Sequence, residues 1–188
     1  MRSKIKAVVI GGSAGAMKVM SSILASLPAE YSLPIIVALH LHPLQDSYFV
    51  KHFKGGCALT VKEAEDKEAI QAGHVYFAPA NYHLLVENDH TLSLSVDDRV
   101  NYSRPSIDVL FESAADAYMA HLAGVLLTGA NNDGALGLKR IKEKGGLVVV
   151  QDPDTAESPY MPKTALQTTE VDYVLPPNQI GTWLTGLK

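Results

Sequence analysis

Three side chains in this 188-residue sequence could together transfer an acyl group: the Ser13 hydroxyl, the His40 imidazole and the Asp133 carboxylate. A serine hydroxyl is a weak nucleophile until a base takes its proton. Histidine can do so near neutral pH, and a carboxylate fixes the imidazole tautomer and stabilises its charged form. Ser13 sits in Gly11-Gly12-Ser13-Ala14-Gly15, a match to G-x-S-x-G, in which glycines let the backbone turn sharply and present the hydroxyl at a sheet edge. A helix starting after this turn aims unpaired N–H groups at its occupant, which suits an oxyanion. Plainer roles compete. Ser13 and Asp133 are both good helix N-caps, and His40 with His42 forms an H-x-H pair, although no third metal ligand with suitable spacing is evident. A dinucleotide or phosphate loop uses a similar turn, but neither G-x-G-x-x-G nor G-x-x-x-x-G-K-[ST] is present.

The elements that must position these residues follow from the apolar pattern. Ala7–Ile10 reads as a buried strand, Met17, Met20, Ile23 and Leu24 as one face of a helix, and Leu33–Leu39 as a second buried strand. This βαβ unit implies parallel neighbours, with Ser13 and His40 both at carboxyl ends, where ligands gather in such sheets. Residues 45–53 predict a short helix and Leu59–Val61 a brief strand, followed by a charged loop over 62–68. The runs 74–78, 83–87 and 91–95 are spaced like an antiparallel meander or hairpin. Ser106 caps a helix to about His121, then come strand Gly124–Leu127, the turn Thr128–Gly134, a helix to Lys144 and strand Leu147–Val150. A helix over 162–168, a strand over 173–175 and a helix over 178–187 complete the alternation. The expected fold is α/β: one domain over residues 1–188, a doubly wound, mainly parallel sheet with helices on both faces and a small antiparallel hairpin at one edge. The chain order Ser, His, Asp differs from that of α/β-hydrolases.

Composition excludes several partners. The net charge is −4, with Lys and Arg scattered instead of clustered, so there is no footprint for nucleic acid. No apolar run approaches the ~20 residues of a membrane span, the N-terminus leaves no room for a signal peptide, and Cys57 stands alone. The expected location is the cytoplasm. Cys57 reads as a small buried residue.

The blocks Ile10–Gly15, His40 with Pro43, Arg104-Pro105-Ser106-Ile107-Asp108-Val109-Leu110-Phe111, Leu127–Ala135 and Met161-Pro162 together resemble the catalytic domain of the CheB family, the chemotaxis protein-glutamate methylesterases. The resemblance covers nearly all of residues 5–175. It implies Ser13 as nucleophile, His40 as base, Asp133 as orienting acid, and the backbone N–H groups of Ala14 and one near Ala130 as oxyanion donors. It also implies a substrate cleft including Gly12, His83, Arg104, Met161 and Asn132. For His83 a structural hydrogen bond, for Arg104 a surface salt bridge and for Met161 ordinary core packing are the competing roles. The implied reaction is hydrolysis of glutamate methyl esters on a chemoreceptor or related signalling protein, with glutamine deamidation by the same chemistry and no metal or organic cofactor. Family members commonly carry threonine and methionine where this chain has Ala14 and Ala130. Typical members also carry an N-terminal receiver domain, for which this sequence has no residues, so a free-standing module, possible control by a separate receiver protein included, is the expectation. The rival functions are a non-catalytic binding module on the same fold and an esterase for a different methyl ester.

Overall fold

A computed structural model of the chain describes residues 4–40 and 48–187. His42, Pro43 and the start of the helix expected over 45–53 lie outside the described residues or at their margin. In chain order the elements are β1 (Ala7–Gly12), α1 (Ala16–Ala25), β2 (Ile35–Leu39), α2 (Tyr48–Lys54), β3 (Thr60–Glu63), β4 (His74–Phe77), β5 (His83–Val86), β6 (Leu92–Ser95) and α3 (Ile107–Tyr118). Then follow β7 (Leu122–Leu126), α4 (Ala135–Glu143), β8 (Leu147–Gln151), α5 (Tyr160–Thr168), β9 (Tyr173–Leu175) and α6 (Pro177–Thr185).

Seven strands form one sheet in the order β3-β4-β2-β1-β7-β8-β9, and every pairing in it is parallel. The central strands β1, β2 and β7 are buried at every position. Covered on both faces, they must be apolar throughout, which is why they read as continuous runs and not as alternation. Successive side chains still diverge. Val8 and Ile10 join a core with α1, α2 and α6, whereas Ala7 and Val9 join one with α3, α4 and α5. From β1 the chain builds outward through β2, then crosses back to lay β7 on the other side of β1. Loops leaving β1 and β7 therefore part in opposite directions, opening a crevice at their carboxyl ends.

The region expected to be a three-run meander divides differently. Residues 74–77 form β4, parallel to both β2 and β3, while only β5 and β6 pair antiparallel, as a separate two-stranded sheet. Val75, Tyr76 and Phe77 are all buried, the mark of an interior strand, but the short Pro79-Ala80-Asn81 link disguises it as one arm of a hairpin. The pair is not hydrogen-bonded to the main sheet. Its Leu84, Val86 and Leu92 pack into the α3-side core with Ile36 and Tyr76, so it covers the β2–β4 half of that face. Helix α5 starts at Tyr160, two residues before the expected Pro162, because a proline in the first turn forfeits an N–H that has no helical acceptor there. Among the described residues no helix is long and apolar enough to cross a membrane.

Gly134 joins the fold to the site. It caps α4 with φ 94, and a Cβ built there would lie 2.6 Å from Leu126 Cδ1 and 2.8 Å from Ile107 Cγ2. Gly134→Ala combines left-handed backbone strain with overpacking against two fully buried side chains, so a loss of about 2–4 kcal/mol is expected, measurable as a lowered urea midpoint at unchanged slope.

Candidate active site

The sheet register sets Ser13 and His40 side by side. Gly12 pairs with Leu39 across β1 and β2, and the next residue, His40, donates its backbone N–H to Gly12 O at 3.1 Å. Ser13 N–H in turn donates to Thr128 O, beyond β7, at 2.9 Å. The helix cap falls on Gly15, at φ 82, and no side chain caps α1. Ser13 is therefore not the N-cap. It is half-buried, and its hydroxyl has no hydrogen-bond partner among the described residues.

Thr128, which the sequence reading passed over, ties the turn down. Its Oγ1 donates to Ala14 O at 2.9 Å and accepts from Ser158 N at 2.9 Å, and its own N–H donates to the buried Gln151 Oε1 at 2.9 Å. The serine turn is thus fastened to β8 and to the segment before α5. Gly12 is buried, and a Cβ there would lie 2.6 Å from that of Ala16, so the turn needs glycine for close packing against α1.

Asp133 is completely buried and accepts five hydrogen bonds. Oδ2 takes His40 Nε2 at 2.7 Å and Ile107 N–H at 2.7 Å. Oδ1 takes Ser106 Oγ at 2.9 Å, Asn101 Nδ2 at 2.9 Å and Asp108 N–H at 3.0 Å. Asp133 is not the N-cap of α4, which is Gly134; it lies instead at the N-terminus of a different helix, α3. Burial works to raise its pKa, but hydrogen bonds from His40, Asn101, Ile107 and Asp108 outweigh burial and hold the carboxyl below its ordinary range. An ionised carboxylate only accepts, so His40 Nε2 carries a proton and Nδ1 presents the lone pair. That lone pair faces Asn131 Nδ2 at 3.3 Å, while Asn131 Oδ1 accepts Asp133 N–H at 3.1 Å.

The remaining expected residues separate into two groups. At the crevice, Ala14, Ala130 and Asn132 are exposed, and the N–H groups of Ala14 and Ala130 donate to no described residue. Met161 is buried; its N–H donates to Gly129 O at 2.9 Å, and a Cβ at Gly129 would meet Met161 Cε at 2.5 Å and Ser13 Cβ at 3.0 Å. It packs under the turn beside Ser13. His83 and Arg104 are brought instead to the support of α3. His83 accepts Ser106 N–H on Nδ1 at 3.1 Å and contacts Asp98 O through Nε2 at 2.9 Å, a buried structural role. Arg104 donates to Val96 O at 2.7 Å, Asp97 O at 3.0 Å and Asn81 Oδ1 at 3.3 Å, stapling two loops, and makes no salt bridge among the described residues. Cys57 is half-buried, and its thiol is pushed up mainly by burial. No cluster of three or more His, Cys, Asp or Glu that could hold a metal exists among the described residues. A cavity of about 450 Å³ opens along α1 between Gly15, Lys18, Ser22, Thr155 and Glu157, beside the serine turn and not within it.

Behind Asp133 lies a second carboxylate, Asp108. Its Oδ1 accepts Gly137 N–H at 2.7 Å and its Oδ2 accepts the same Asn101 amide at 2.8 Å. Burial raises its pKa to about 6 from 3.8; the Gly137 hydrogen bond opposes this and the Asp133 charge adds to it. A folded-state pKa above the unfolded one means the folded chain binds the proton more readily. Stability from this group is therefore greatest at low pH and is lost as pH rises from about 4 to about 6, whereas Asp133, shifted the other way, matters only at more acidic pH. Asp108→Asn removes the titration, and the urea-unfolding free energy measured across that window should lose this component of its slope.

Comparison with known proteins follows the same outline. Residues 8–184 match the family model described as CheB methylesterase. The chain is 38% identical over 186 residues to a protein-glutamate methylesterase/protein-glutamine glutaminase of Geobacter metallireducens, covering 98% of this chain and 54% of that protein. A Leptospira interrogans protein, to which the same name is given provisionally, is 54% identical over 170 residues, 90% of this chain and 88% of the relative. The crystal structure of the Thermotoga maritima CheB methylesterase catalytic domain superposes with TM-score 0.93 at 34% identity, covering 99% of this chain and all of that one. Sequence and fold agree, and this chain belongs to the CheB methylesterase family.

Proposed function

We propose that this chain hydrolyses methyl esters of glutamate side chains on chemoreceptor-type proteins, with Ser13 as nucleophile, His40 as base and Asp133 as the group that orients it. The observation that carries this reading is the 2.7 Å contact from His40 Nε2 to the buried Asp133 Oδ2, made next to the turn after the adjoining strand β1 that holds the half-buried Ser13. Ser13 Oγ attacks the ester carbonyl as its proton passes to His40 Nδ1. The charge on the carbonyl oxygen is met by the Ala14 and Ala130 N–H groups, which have no other described acceptor. Collapse of the intermediate returns the proton to the methoxide and releases methanol. Water, deprotonated by the same imidazole, then attacks the acyl-enzyme and frees Ser13 and the glutamate carboxylate.

A glutamine side chain follows the same path with ammonia leaving, in keeping with the double name of the relatives. We place the module in the cytoplasm, folded as one domain over residues 1–188, where a methylated receptor is its substrate and a separate receiver or signalling protein is available to control it.

The test is release of labelled methanol from a methyl-labelled chemoreceptor by the purified chain. Ser13→Ala and His40→Ala are each expected to lower kcat by about 10³-fold or more while circular dichroism stays unchanged. Wild-type protein that releases no methanol, or Ser13→Ala protein that releases it normally, would overturn the assignment. Hydrolysis of small methyl esters without receptor turnover would indicate a different ester. Receptor binding by an inactive wild type would indicate a binding module.

A further inference from the structure

The base nitrogen of His40 is already occupied. Its ring is held from both sides: Nε2 by Asp133 at 2.7 Å, and Nδ1, the nitrogen with the free lone pair, by the Asn131 amide at 3.3 Å. Ser13 Oγ, the group that needs that lone pair, makes no hydrogen bond to any described residue. A lone pair that accepts from an amide is not available to a hydroxyl, so Asn131 and Ser13 compete for one atom.

The two contacts differ in strength. The Asp133 contact is short, charge-assisted and buried, whereas the Asn131 contact is long, neutral and on a half-buried side chain. The Asn131 side is the one that releases. Its own anchor, Oδ1 accepting Asp133 N–H at 3.1 Å, is a single neutral contact spanning only two residues, given up with the Nδ1 contact when the carboxamide turns.

We propose that Asn131 is a positioning residue that caps the base nitrogen in the resting enzyme, holding Ser13 unactivated until substrate entering beside Ala130 draws the amide off Nδ1. The inference rests on Ser13 and His40 acting as nucleophile and base. Asn131→Ser is the informative substitution: a serine hydroxyl still accepts the N–H two residues on, preserving the turn, but is too short to reach His40.

The probe is a fluorophosphonate, whose phosphorus is attacked by Ser13 Oγ. The new P–O bond replaces P–F, fluoride leaves, and the hydroxyl proton passes to His40. Asn131→Ser protein is expected to be phosphonylated about three- to tenfold faster than wild type, the gain from losing one weak competing hydrogen bond. In ¹⁵N-histidine-labelled protein, the His40 Nδ1 resonance is expected to move downfield towards the value of an unbonded lone pair, with Nε2 unmoved. Equal or slower labelling of the variant, with Nδ1 unshifted, would overturn the cap. A wild type that is not labelled at Ser13 at all would instead overturn the assignment of nucleophile and base, so the two failures are distinguishable.

Discussion

A carboxylate sealed from water sets the terms for the rest of this fold. Taking the Asp133 charge out of solvent costs several kcal/mol unless donors replace the lost hydration. Five donors do so here, and they come from three separate stretches of chain: His40 after β2, Asn101, and Ser106 with the first turn of α3. The positive end of α3 adds a favourable field. None of these segments can shift without exposing the cost, so the buried charge fixes how β2, β7, α3 and α4 meet. The supporting layer is itself held: His83 braces the Ser106 N–H, and Arg104 clamps the loops around it. His83 and Arg104, which the family resemblance places at the cleft, thus also brace the surroundings of one anion.

The parallel sheet supplies the other half of the arrangement. Because β1 lies between β2 and β7, its carboxyl end is flanked by His40 on one side and the Thr128–Asp133 turn on the other. Thr128 uses both its backbone and its hydroxyl to join Ser13, Ala14, Gln151 and Ser158. The serine turn is thus tied down by hydrogen bonds on the side away from solvent. Its outward face has Ala14 and Ala130 exposed, with N–H groups that find no acceptor among the described residues.

Buried parallel strands announce themselves as unbroken apolar runs, so β1, β2, β7 and β8 were legible from sequence, as were the turns that end them. Ser13, His40 and Asp133 could be singled out because each follows such a run. What pattern could not reveal was which partner a polar side chain would choose. Asp133 before a helix reads as its cap, yet it serves the helix 26 residues upstream, and Gly134 takes the cap. Ser106 was legible as a cap for α3, where its hydroxyl does meet Val109 N–H, but not as a donor to Asp133. Asn101, Thr128 and Asn131 act through contacts spanning 32, 30 and 91 residues, distances over which local periodicity carries no information. β4 was misassigned for a related reason: a four-residue strand beside a tight link looks the same whether its partners are local or distant.

Strand order also bears on how the imidazole is held. His40 leaves β2; the serine turn leaves the adjacent β1, and the Asp133 loop leaves β7, two strands or about 10 Å across the sheet. Nδ1 lies near the backbone of its own residue, whereas Nε2 is at the tip of the ring. Asp133 is met by the tip, Nε2, and Asn131 of the same loop reaches Nδ1. With Asp133 on Nε2, the proposed base nitrogen is Nδ1, and a hydroxyl in the turn after β1 reaches it only in place of the Asn131 amide. The order of the strands, through the crossover that sends β7 past β1, thus brings both contacts of the imidazole from one loop, and the proposed proton transfer falls to the nitrogen whose contact is the weaker.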